Sequence, residues 1–164
     1  MHKISYNEFL GALKGRVKGN VVILGIGNDI RGDDGFGPYL VESLRGKITA
    51  ALFNCGTALE NYYNPIVKAR PDVIIILDTA EFNGPYGEIG VFNRDDILKV
   101  GFSTHTISPR FFMEFLEKSI KADMMMVGVK PKATDFGEGL SPEVKESADM
   151  LRDFFIKLLP KGEE

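Results

Sequence analysis

The stretch VVILGIGNDIRGDDGFGPYLVESLRG, Val21 to Gly46, decides how the chain is read. Its opening, VVILGIG, is apolar on successive residues, the pattern of a strand buried on both faces rather than one that alternates. A polar loop follows. Phe36, Tyr39, Leu40, Ser43 and Leu44 then recur at helical spacing, and Gly46 stands where a helix-ending glycine belongs. Strand, glycine turn and helix in this order open a dinucleotide site. That fingerprint needs a third glycine three residues after Gly27, and Ile30 is there instead. The lysine of a P-loop is missing as well, and Asp33 and Asp34 would repel a pyrophosphate. A nucleotide-binding module is therefore disfavoured.

Further along, Ile48–Cys55 reads as a second strand and Asp72–Ala80 as the most apolar strand of the chain. ENYYNPIVKAR between them is helical in part. The turn-rich EFNGPYG leads to a short strand, EIGVF, and RDDILKV reads as a brief helix. Ser108–Pro109 and Ser141–Pro142 each look like a capping serine with proline at the first helical position. The first would open SPRFFMEFLEKSI, and the second a long amphipathic helix to Leu159. Met124–Val129 is another buried strand between them. Buried strands alternating with amphipathic helices predict an α/β fold. The expected form is a three-layer α/β/α sandwich with a largely parallel twisted sheet of about five strands. In such sheets ligands gather at the carboxyl ends of strands, so the loops after the first and third strands are the places to search.

With 164 residues, 44% hydrophobic and 26% charged, the chain has the make-up of one globular domain. Residues 1–164 are expected to form it, with 1–20 as an N-terminal extension and 160–164 as a frayed tail. Ile4, Phe9, Leu10 and Leu13 suggest a short amphipathic helix in the extension. A formal net charge of −3 argues against nucleic acid as a partner. The longest apolar run, Val73–Leu77, is too short to span a bilayer, and the N-terminus lacks the apolar core of a signal peptide. One cysteine, Cys55, cannot form an internal disulfide and suits a reducing cytoplasm. The expectation is a cytoplasmic protein with no membrane insertion.

Three sites could carry chemistry. Asp33 and Asp34 can cap the following helix, or one can cap while the other offers its carboxylate to a cation. Asp78 closes a very apolar strand at its carboxyl edge, where a buried carboxylate is costly unless paired, hydrogen-bonded or metal-bound. It can also cap the next turn. Asp72, at the opposite edge, is set aside. His105, in THTISP, precedes a helix start, although a lone histidine is as readily structural. Two carboxylates and an imidazole at one edge would make an open site suited to nickel or zinc. Cys55 reads as a small buried hydrophobe, and Met124–Met126 as core filling. No G-x-S-x-G elbow exists.

GIGNDIRGDDGFGP, ILDTA, THTISP and GVKP, in this order, resemble the signature blocks of the NiFe-hydrogenase maturation endopeptidases over about Val21 to Leu158. The likeness is greatest to the subgroup serving membrane-bound hydrogenases of the formate-hydrogenlyase kind. The resemblance implies a peptide hydrolase that removes the C-terminal extension of a hydrogenase large-subunit precursor after nickel insertion. It implies that Asp34, Asp78 and His105 recognise the nickel and act in catalysis. The nickel would be carried by the precursor, and other divalent metals could occupy the site. Asp33 would cap the helix or support the ligands, and Asn28 would fix the loop through backbone hydrogen bonds. Nickel would activate the scissile carbonyl or a water, or serve only as a recognition tag. The competing readings are a non-catalytic nickel-binding chaperone of hydrogenase assembly and a metal-independent hydrolase. The segment before Val21 departs from the family's usual start, and covering a sheet edge is its expected role.

Overall fold

The continuous apolar runs become the centre of the sheet. In the computed structural model, which describes residues 6–97, 101–102, 107–137 and 139–162, β1 (Val21–Ile26) is buried throughout. β3 (Val73–Glu81) is buried at every position but its last. With β2 (Ala51–Gly56), β4 (Ile89–Phe92) and β6 (Asp123–Val129) they line up in the order β2-β1-β3-β6-β4. The β2–β1, β1–β3 and β3–β6 pairs are parallel, and β4 joins β6 antiparallel. A two-residue strand, β5 (Gly101–Phe102), pairs antiparallel with the end of β3.

Period-two alternation divides the core into two layers. Ile23, Ile75 and Leu77 join Phe36, Leu40, Leu151 and Phe155 on one side. Val22, Leu24, Ile74 and Ile76 join Leu59, Ile66, Phe112 and Leu116 on the other. The first layer belongs to α1 (Tyr6–Arg16), α2 (Phe36–Leu44) and α6 (Pro142–Leu158). The second belongs to α3 (Tyr63–Lys68), α4 (Arg94–Ile97) and α5 (Pro109–Leu116). Helices on both faces of a mostly parallel sheet make the expected α/β/α sandwich. Met125 and Met126 enter opposite layers, as core filling requires.

Boundaries moved where tertiary partners intervene. The second strand starts at Ala51, because Ile48 bridges Pro160 and Thr49 N–H donates to Leu159 O at 2.9 Å. The chain is thus still held at Pro160, where the tail was expected to fray. ENYYNPIVKAR divides into a 3₁₀ turn, Leu59–Tyr62, and α3, with Pro65 in the first turn of α3, where a missing N–H is tolerated. In the N-terminal extension, α1 buries Phe9 and Leu13 and touches the edge strand β4. Arg16 forks onto Asp123 at 2.8 and 2.6 Å and donates to Asn93 Oδ1 at 2.9 Å. Among the described residues no helix is long and apolar enough to cross a membrane.

From β1 the chain crosses over to β2 on one side, and from β2 it returns past β1 to β3 on the other. This reversal opens a crevice at the carboxyl ends of β1 and β3, the usual ligand position in such sheets.

Candidate active site

The crevice is shaped by a close approach of helix to sheet. A Cβ on Gly37, in the first turn of α2, would lie 2.5 Å from Ile26 O and 2.6 Å from Leu77 O. Only glycine lets α2 rest on the ends of both β1 and β3 at once. Gly27 has φ +140°, and a Cβ there would lie 1.8 Å from Asp34 O. The glycines of the first block therefore serve backbone contact, and no phosphate is needed to explain them.

Between β1 and α2 the chain makes a 3₁₀ turn, Gly32–Gly35, that carries both aspartates into the interior. Asp34 is 5% exposed, and its Oδ2 accepts from Asn28 N–H at 2.8 Å. Asn28 Oδ1 in turn accepts from Ile30 N–H at 3.1 Å, so Asn28 fixes the loop as its position suggested. Asp78 is fully buried near the end of β3, and its Oδ1 accepts from Thr79 N–H at 2.8 Å. The Gly37 contact with Leu77 brings the turn bearing Asp34 to the strand end bearing Asp78. His105 lies outside the described residues. Among the described residues no three His, Cys, Asp or Glu side chains are grouped to hold a metal.

Asp33 is not a helix cap. The residue capping α2 is Gly35, with no side-chain capping bond, and Asp33 turns its carboxylate to a distant loop. Oδ2 accepts from Lys132 N–H at 2.9 Å, Ala133 N–H at 3.0 Å and the Ser141 hydroxyl at 2.8 Å, while Oδ1 accepts from Ser141 N–H at 2.7 Å. The backbones join as well: Gly32 N–H donates to Gly137 O and Gly137 N–H to Ile30 O, both at 2.7 Å. One fully buried carboxylate clamps the turn after β1 to the loop after β6.

That clamp also corrects the reading of Ser141. It occupies the N-cap position of α6 but makes no capping bond, whereas Ser108 Oγ accepts from Phe111 N–H at 3.1 Å and caps α5 as expected. Lys130, in the GVKP block, was not singled out. It follows a buried strand directly, and its ammonium donates to Phe82 O, just past the end of β3, and lies 3.5 Å from Glu81, the last residue of that strand. Cys55 is 3% exposed, and burial pushes its thiol up to about 12, which leaves it an inert core residue. Asp72 sits at the amino edge, accepting from Asn20 N–H at 2.7 Å.

The sequence and the fold have known relatives. The HycI family, described as hydrogenase maturation protease, matches residues 38–157. The hydrogenase 3 maturation protease of Escherichia coli K12 is 28% identical over 131 residues, covering 78% of this chain and 83% of that protein. The crystal structure of a HycI maturation protease from Thermococcus kodakarensis superposes with a TM-score of 0.82 at 30% identity, covering 90% of this chain and 98% of the other. The solution structure of the HycI endopeptidase from Escherichia coli gives 0.74 at 25% identity, covering 85% and 90%. The chain therefore belongs to the hydrogenase maturation protease family and is, with that family, a peptide hydrolase.

Proposed function

We propose that this protease removes the C-terminal extension of a NiFe-hydrogenase large-subunit precursor after nickel insertion, in the cytoplasm. Asp34, Asp78 and His105 recognise the nickel that the precursor carries. The observation that supports this most directly is two buried carboxylates, Asp34 and Asp78, at the carboxyl edge of β1 and β3. Acidic oxygens with a single imidazole form a donor set suited to nickel, and a set supplied in part by the substrate leaves the protease free of tightly held metal. By strand alternation Asp78 shares the face of Ile74, Ile76 and Ala80, the face on which α5 packs. β5 ends at Phe102, opposite Ala80, and His105 follows three residues later in the sequence, ahead of α5.

The test is intact-mass spectrometry of a nickel-loaded precursor and its nickel-free form, each mixed with the protein. A single C-terminal loss from the loaded form alone is expected, and Asp34→Asn and His105→Ala are expected to abolish it while leaving the fold intact. Parental processing by both variants would overturn the site assignment. Tight binding of free nickel without any cleavage would favour a nickel chaperone instead.

A further inference from the structure

Two cavities lie side by side next to the turn that carries Asp34. The larger, about 410 Å³, opens between α2 and the loop before α6, and is lined by Gly32, Tyr39, Leu140 and Lys145 among others. The smaller, about 200 Å³, lies at the carboxyl ends of β1 and β2 against Asn28 and Thr57. Asp29, Pro38 and Asn54 line both, so the two form one groove running past the active-site edge. An extended peptide advances roughly 3.3 Å per residue, and a groove of this size takes a short segment of such a chain.

The charges of the groove are unequal. Glu42 is held by Arg45 at 2.7 Å, and Lys145 by Asp149 at 2.9 Å. Asp29 is exposed and makes no hydrogen bond or ion pair among the described residues, and it stands where the two cavities meet. Among the described residues that line the groove, the charge left without a partner is thus the Asp29 carboxylate, which both cavities share. Apolar surface marks the same place. Ile30 is 42% and Phe136 82% exposed, on the two loops whose backbones line the groove. Those loops are held by the Asp33 clamp and by the Gly137 hydrogen bonds, so both side chains are presented from fixed backbone.

We infer that this groove seats the extended stretch of the precursor beside the cleaved bond, and that Asp29 selects a basic side chain in it. The inference rests on the proteolytic reading above and adds to it a specificity residue that touches substrate and not nickel. Pairing across a solvent-open groove acts on association and weakens with salt.

The experiment is steady-state processing of a nickel-loaded precursor by the parental protein, Asp29→Asn and Asp29→Lys. It is repeated with precursors whose basic residues nearest the cleavage point are changed singly to Glu. The expected result is a KM raised about fivefold for Asp29→Asn and further for Asp29→Lys, with kcat within about twofold, in low salt. One Glu precursor should restore the KM of Asp29→Lys, and the KM differences should shrink at high ionic strength. An unchanged KM in both variants, or no rescue by any Glu precursor, overturns the inference while parental cleavage upholds the protease reading. Absence of cleavage by the parental protein removes the protease reading itself, and the groove assignment with it.

Discussion

Asp33 and Asp34 are neighbours with different work. Asp34 accepts from the Asn28 backbone N–H at the edge of the candidate site, and Asn at this position keeps an acceptor for that bond. Asp34→Asn should therefore cost less stability than Asp33→Asn while abolishing processing. Asp33 receives four donors, and an amide in its place sets an NH₂ against N–H groups. Hydrogen bonds to a buried charge contribute about 1.5–3 kcal/mol each, so Asp33→Asn should cost on the order of 3 kcal/mol in urea unfolding. Equal stability of the two variants would contradict this division. Cys55 gives a second check. Because its folded thiol titrates near 12 rather than 9, the unfolded chain loses the proton first. The thiol's effect on stability is nil below about pH 9 and turns unfavourable as pH climbs toward 12. At neutral pH a disulfide reagent should label the native thiol orders of magnitude more slowly than the thiol in denaturant.

At the scale of elements, the most demanding contact is α2 on the strand ends. Gly37→Ala would drive a methyl group into Ile26 and Leu77 backbone, which has no rotamer to yield. The expected cost is about 3 kcal/mol, the upper end for overpacking, and the shifted turn should slow processing as well. Full activity and an unchanged melting temperature would show that α2 can lift without consequence. The elements themselves were largely legible. β1, β3 and β6 are apolar runs that no other structure explains, and Ser108 caps its own helix through a partner three residues away. Ser141 looked the same in sequence, yet its partner is Asp33, 108 residues distant, and no local pattern records such a bond. β5 escaped for a related reason: two residues have no period, and only the end of β3 makes them a strand.

For the molecule as a whole, α1 is anchored at the start of β6, at the opposite end of the sheet from Asp78. It buries Phe9 and Leu13, with Val17 just after it, in the layer of α2 and α6 and ties Arg16 to Asp123 at the opposite edge of the sheet. Burying side chains of this kind contributes roughly 1.5–3 kcal/mol each, so a chain beginning at Lys18 should lose on the order of 5 kcal/mol. That corresponds to roughly 10–20 °C in melting temperature, with processing retained at low temperature. Loss of processing in a folded truncated chain would instead assign the extension to substrate binding. The carboxyl edge was legible because topology alone selects it: a sheet that reverses at its first strand brings the loops after β1 and β3 together. The groove was not legible, since its walls come from α2, the end of β2 and the loop before α6.

The Asp33 clamp has a consequence in time as well as in space. Its carboxylate is made early on the ribosome, yet its donors lie at Lys132, Ala133 and Ser141. Until these have left the exit tunnel, the turn after β1 has only its local bonds, among them Asn28 N–H to Asp34 Oδ2. A chain that stops before Lys132 lacks all four donors to Asp33, and the turn that bears Asp34 lacks this hold.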